Sequence, residues 1–211
     1  MIRQADYDEW VARHPGGLGN SALMRLLHMA LTNEEQLAEV RSLLGPDGLG
    51  LVDQFVYRKV EPTNLGRETA RTNQWYLLSF QPTSQPRNRP VFFDFDDLSS
   101  GTQRLVRIVV SLIHDQSAVM LLEHPEDGIH RALLRKLIDL LQKYSDQTQL
   151  IMASHSSIVF NTLDPSAIRL VTMEEEGTKV RALTREEVKA AGRFLEEDGS
   201  LSDFIETVEE T

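Results

Sequence analysis

The stretch Ala118-Val119-Met120-Leu121-Leu122-Glu123-His124-Pro125-Glu126-Asp127-Gly128-Ile129-His130 decides how this chain is read. Five uninterrupted apolar residues predict a buried strand over 118–122, and the proline and glycine that follow end it in a turn. Glu123 then stands at the carboxyl edge of that strand, where open α/β sheets bind ligands. A single carboxylate there is enough for Mg²⁺ if a bound nucleotide supplies the remaining oxygens.

The same grammar extends in both directions. Downstream, Ile129 to Tyr144 has the spacing of an amphipathic helix, and Gln149 to Ala153 is a second apolar strand running into Ser154-His155-Ser156. Upstream, Leu105, Val106, Val109, Leu112 and Ile113 place Gln103 to His114 on a helix opened by Leu98-Ser99-Ser100-Gly101-Thr102. Strand and helix alternating from Val91 onward predict a parallel α/β layer. Ile168 to Met173 and Thr178 to Leu183 flank Glu174-Glu175-Glu176-Gly177, which predicts a hairpin at the sheet edge, and Thr184 to Leu195 reads as a helix.

Ser99, Ser100, Gly101 and Thr102 form a helix start with unpaired N–H groups, small enough for a phosphate to approach closely. Ordinary capping is the simpler account of that segment alone. His155 at a strand end has the reach to contact a terminal phosphate, or simply to bond to backbone.

The first half has a different texture. Asp6 to Ala12 and Ser21 to Leu31 read as helices around the loop His14 to Asn20, and Thr32 with Glu35 fits a capping box for a helix ending at Gly45-Pro46. Leu51 to Glu61 and Gln74 to Gln81 are β-rich, with breakers from Pro82 to Pro90. The expected organisation is a helical subdomain over 1–50, a β-rich connection over 51–90, the α/β core over 91–185, and an acidic helical tail over 186–211.

Taken in order, these segments resemble the ABC-type ATPase superfamily, in the branch with SMC, RecF and OLD-like ATPases. Leu98-Ser99-Ser100-Gly101-Thr102 matches the LSGGQ-like signature, Val119 to Glu123 the Walker B strand, and His155 the switch histidine. Pro125-Glu126-Asp127-Gly128-Ile129-His130 is similar to the stretch after Walker B in this branch. The resemblance covers residues 91–185. It implies a P-loop NTPase-like carboxyl-terminal half, a parallel sheet flanked by helices, with the helical subdomain and a small β hairpin on its amino-terminal side. It also implies ATP and Mg²⁺ as ligands, with Ser99, Ser100, Gly101 and Thr102 on the nucleotide, Glu123 on the metal, and His124 and His155 in the catalytic positions. The implied partner is a second ATPase lobe, as a homodimer, and the implied processes are DNA repair or phage defence.

Two departures stand out. No Gly-x-x-x-x-Gly-Lys-Ser/Thr string occurs in the 211 residues, and Gly16-Gly17-Leu18-Gly19-Asn20-Ser21 lacks the phosphate-binding lysine. The expectation is a carboxyl-terminal portion that needs an amino-terminal P-loop segment and alone hydrolyses ATP negligibly. Furthermore, His124 occupies the place of the family's catalytic glutamate. Imidazole titrates near neutrality and can serve as a base, though with different reach and charge; Glu126, beyond Pro125, is the alternative base.

Two other classes compete. One is a degenerate ATPase fold acting as a non-catalytic interaction module, dependent on a partner for nucleotide. The other is a metal-dependent hydrolase built from Glu123, His124, Glu126, His130 and His155, disfavoured because His124 and His130 are six apart across a turn.

Composition bounds these readings. The chain carries 22 Lys+Arg against 32 Asp+Glu, a net charge of −10, and no cysteine. Disulfides and thiolate chemistry are excluded, and a nucleic-acid grip by this chain alone is disfavoured. Nucleic acid is expected only through a full assembly, although Arg87, Arg89, Arg104, Arg107, Arg131, Arg135 and Lys136 supply local positive charge. The polar, acidic start Met1 to Glu9 is unlike a signal peptide, and no apolar run reaches membrane-spanning length, so a soluble cytoplasmic protein is expected.

Overall fold

A computed structural model describes residues 1–14, 21–60, 74–85, 88–175, 177–196, 200–201 and 203–205. The glycine-bearing segment 15–20, the connection 61–73, residues 86–87 and 176, and residues 197–199, 202 and 206–211 of the acidic tail lie outside the described residues. The chain divides into two compact units, residues 1–121 with 143–151, and residues 122–142 with 152–211.

In the first unit, β1 (Ile2–Arg3) and β2 (Val52–Val60) flank β3 (Trp75–Pro82) in an antiparallel sheet of order β1-β3-β2. Every second residue of β3 from Tyr76 to Phe80 is buried, the period-2 pattern of a strand with one face on a core. Helices α1 (Gln4–Arg13), α2 (Ala22–Thr32), α3 (Glu34–Leu44) and α4 (Ser100–Asp115) complete it. α2, α3 and α4 pack on one another, burying Leu26, Leu27, Leu37, Val40, Leu105, Val106 and Val109. Each of these helices keeps its apolar residues three and four apart, so one face is continuously apolar.

The capping box expected at Thr32 is displaced by one residue. Asn33 is the cap, its Oδ1 accepting from the Gln36 N–H at 3.1 Å, while the Thr32 hydroxyl donates back to the His28 carbonyl at 2.7 Å. Asn competes with Thr as an N-cap at least on equal terms, and Thr in a last helical turn satisfies its hydroxyl locally.

The strands β4 (Val119–Glu123) and β5 (Gln149–Ala153) form a sheet of two. The Gln149 N–H donates to Ala118 O and the His124 N–H to Ala153 O, each at 2.8 Å. Both strands therefore run in the same direction, the parallel α/β layer that the sequence predicts. Exposure alternates along them, leaving Val119, Leu121 and Ile151 45%, 72% and 49% exposed.

The second unit holds α5 (Arg131–Lys143), whose stripe Leu134, Leu137, Ile138 and Leu141 is buried, and the short helix α6 (Ser157–Phe160). β6 (Arg169–Glu174) and β7 (Gly177–Ala182) pair in register from Arg169↔Ala182 to Glu174↔Gly177. Gly177 closes the turn at φ 121°, a conformation that favours glycine. This hairpin is a separate sheet of two strands and not an edge of the parallel sheet, because its Leu170 joins another core. That core contains Ile168, Leu183, Ala191, Leu201 and Ile205 and involves α7 (Arg185–Glu196). Among the described residues, no helix is long and apolar enough to cross a membrane.

Candidate nucleotide site

The signature segment belongs to the first unit and begins α4. Ser99 is its N-cap: Ser99 Oγ accepts from the Thr102 N–H at 3.2 Å and lies 2.8 Å from Thr102 Oγ1. Gln103 Nε2 donates to the Leu98 carbonyl at 2.9 Å and to the Asp96 carbonyl at 3.3 Å, tying the preceding loop to the helix. Gly101 is buried, whereas Ser99 and Ser100 are exposed. The local fold thus fits close anion approach: a sixteen-residue helix, a small buried residue in its first turn, and exposed hydroxyls at its start. Capping and phosphate contact use the same atoms, so geometry at this segment accommodates both roles.

Glu123, His124 and His155 belong to the second unit. Glu123 is the last residue of β4 and is exposed, as a carboxylate must be to meet a metal–nucleotide complex. Among the described residues no three His, Cys, Asp or Glu side chains converge as a metal site. An exposed carboxylate outside any such cluster fits Mg²⁺ carried in by phosphates and does not fit a zinc hydrolase centre.

Immediately beyond Glu123 the chain turns sharply. His124 has φ 46° and Gly128 φ 70°, both left-handed, and the turn closes through Asp127 N–H to His124 O and Ile129 N–H to Glu126 O. That turn swings His124 over His155, with ring centroids 5.5 Å apart and planes inclined at 30°. It also folds Glu126 back onto the end of β5. Glu126 Oε2 accepts from Ser154 Oγ at 2.8 Å, Oε1 accepts from the His155 N–H at 3.3 Å, and Oε1 lies 3.7 Å from His124 Nδ1. Burial opposes ionisation of Glu126, but its own backbone N–H, Ser154, the His155 N–H and the neighbouring His124 outweigh burial. Together they hold the carboxyl below its ordinary value.

The two histidine positions drawn from the sequence are therefore brought into contact. Glu126 and Ser154, which tie them together, are the residues that sequence reading left without a role as partners. The available signal was the Pro125-to-Gly128 turn placed directly after one strand end and Ser154 directly after the other. His130 lies apart from this cluster, its Nδ1 3.4 Å from the Ala132 N–H at the start of α5.

With this geometry in place, comparison with known proteins is informative. Residues 61–161, just under half of the chain, match the family model described as "AAA domain, putative AbiEii toxin, Type IV TA system". No curated protein matches the chain. Among solved structures, one from work on ATP-driven dimerization and DNA-stimulated activation of SMC ATPases aligns with TM-score 0.52 at 17% identity. It covers 82% of this chain and 96% of that one. An Smc head domain from Pyrococcus furiosus, with an extended coiled coil and bound to the C-terminal domain of ScpA, gives 0.52 at 16%, over 83% of this chain and 40% of that one. The Smc head domain of Pyrococcus yayanosii gives 0.51 at 16%, over 80% and 30%. This chain thus spans less than half the length of those two Pyrococcus head chains. Identities this low speak for the fold, and the α/β architecture with its parallel sheet is that of the SMC heads. The matched segment and this fold make the chain similar to the ABC/SMC-like AAA ATPases.

Proposed function

We propose that this chain is the signature-, Walker B- and switch-histidine-bearing part of an ATP-dependent lobe that closes on a second lobe when nucleotide binds. The observation that carries this reading is the stacking of His124 on His155 next to the exposed Glu123, at the carboxyl ends of two parallel strands. Bound MgATP would supply the transferable phosphoryl group and the charge that draws two lobes together. Glu123 would hold the metal, and His155 would read the terminal phosphate. His124 is placed one residue beyond the metal carboxylate, to orient a water and receive its proton. Ser99, Ser100, Gly101 and Thr102 would face the phosphates of the opposite lobe through the start of α4. Positioning and charge stabilisation dominate phosphoryl transfer, and these residue types are suited to both. Homodimerisation, a role in DNA repair or phage defence, and contact with nucleic acid through the assembly belong to this proposal.

The exposed face of the parallel sheet favours a specific form of it. Parallel sheets are ordinarily covered on both faces, yet Val119, Leu121 and Ile151 present an apolar surface. A strand–loop–helix segment carrying the P-loop would cover that surface and complete the phosphate site together. On this form the chain alone is an interaction module, catalytically silent until that segment docks.

Equilibrium binding of MgATP to the chain, with and without a P-loop-bearing segment of the same family, tests the proposal. Weak binding alone and tight binding together, with a doubled mass on sedimentation, are expected. No binding in either condition would overturn it.

A further inference from the structure

We propose that Glu126 is a positioning residue that clasps the turn after β4 to the loop after β5, holding the His124 and His155 rings in their stacked pair. This rests on the reading of the cluster as a terminal-phosphate site and adds to it the group that sets the site's geometry.

Each oxygen of the carboxylate has a separate task. Oε2 takes the Ser154 hydroxyl at 2.8 Å, and Oε1 takes the His155 N–H at 3.3 Å while facing His124 Nδ1 at 3.7 Å. Ser154 is itself fixed, since its Oγ accepts from the Ser156 N–H at 3.0 Å. Three consecutive residues of the β5 loop are thus referred to one carboxylate. On the other side, the His124 N–H is pinned to Ala153 O at 2.8 Å and the His124 carbonyl to the Asp127 N–H at 3.1 Å. The backbone of His124 is therefore fixed, and its ring has Glu126 on one side and His155 on another.

The side chain of Glu126 is 21% exposed against 40% for His124, so the carboxylate is the more enclosed of the two. Charge-assisted acceptors of this kind are stronger than neutral ones and fix direction as well as distance. A ligand that moves the His155 loop must also move the carboxylate, and with it the partner of His124. The two strand ends behave as one element.

Imidazole carbon–proton NMR spectra of the whole chain test this without any P-loop partner. Stacked rings shift each other's resonances, so Glu126→Gln should abolish that mutual shift at both His124 and His155, because an amide presents a donor to one of the groups that now donate. Ser154→Ala, which keeps the carboxylate, should reduce the shift partially, and it serves as the second variant if Glu126→Gln does not fold. In the wild-type chain His155→Ala should displace the His124 resonances. Ring resonances of His124 and His155 unchanged in Glu126→Gln, or in Ser154→Ala if only that variant folds, would overturn the clasp.

Hydrolysis by the chain combined with a P-loop segment adds a functional reading. Removing partners that orient contacting groups commonly costs about 10–100-fold; Glu126→Gln should lower kcat by that order with little change in KM. In a His124→Ala background the same change should have no further effect. A wild-type combination that neither binds nor hydrolyses MgATP would refute the proposed function, while the ring spectra would still decide the clasp.

Discussion

Arg25 in α2 and Asp115 at the end of α4 form an ion pair at 2.8 Å, with 12% and 14% of their side chains exposed. Arg25 Nη1 also donates to Ser111 Oγ at 3.0 Å, and Asp115 Oδ1 lies 3.0 Å from His114 Nδ1. Removing one partner of so enclosed a pair leaves the other charge desolvated. Asp115→Ala should lower unfolding free energy by about 3 kcal/mol in urea titrations, whereas Arg25→Met with Asp115→Leu should cost much less.

His28 predicts a pH dependence in the same unit. Burial first, and the nearby His114 second, lower its proton affinity below the ordinary value of 6.5, and the Tyr7 hydroxyl lies 2.9 Å from its Nδ1. A base with a depressed folded pKa is protonated more readily in the unfolded chain. Stability is therefore full above about pH 6.5 and declines as pH falls below it, until the folded pKa is reached. The fall in Tm between pH 7.5 and 5.5 should be smaller in His28→Gln than in the wild type.

The start of α7 is held by a reciprocal cap. The Thr184 N–H donates to Glu187 Oε2 at 2.6 Å and the Glu187 N–H to Thr184 Oγ1 at 3.2 Å. Arg181 donates to both Glu187 oxygens, and this hydrogen-bonded guanidinium is the first cause lowering the carboxyl to about 2. Its contribution is present above the ordinary carboxyl range and lost as pH falls through about 2. Thr184→Ala should cost about 1 kcal/mol of stability and raise the Glu187 titration midpoint followed by NMR.

The roles proposed for Glu123 and His124 should separate kinetically. With a P-loop segment supplied, Glu123→Gln should abolish the Mg²⁺ dependence of nucleotide affinity. His124→Ala should leave affinity nearly intact and reduce kcat by roughly 10²–10⁴, the range for a general base. Equal loss of affinity in both variants would contradict these assignments.

Docking on the parallel sheet has its own probe. Leu121 is 72% exposed, so Leu121→Asp should leave the thermal melt of the chain within a few degrees of wild type. Binding of the P-loop segment should weaken by about 2 kcal/mol or more if this face is a hot spot. Titration calorimetry reads that difference directly.

Much of this architecture was legible because short apolar runs and helical spacing are local. The parallel strands, α4 and α5 all follow from neighbours within a few residues. The paired rings of His124 and His155 were not legible, because they depend on a left-handed turn at a non-glycine residue, His124. The clasp by Glu126 depends on the same turn meeting a loop twenty-eight residues further on. Asn33 displaced Thr32 as a cap because two adjacent residues competed for one role, and only the helix's final phase chose between them. The separate β6–β7 sheet escaped for a related reason: Leu170 reads as a strand residue either way, and which core receives it is a tertiary matter.

Residues 143–151 belong to the first unit although the chain on both sides of them belongs to the second. The polypeptide therefore passes between units at 121/122, 142/143 and 151/152. No single cleavage can liberate the unit with His124 and His155 from the unit with Ser99 and Ser100. A protease that nicks the chain once leaves each unit retaining a strand segment whose continuation lies in the other. A truncation that removes the whole of one unit also removes part of the other, so the roles of the two units are accessible through point substitutions in the intact chain.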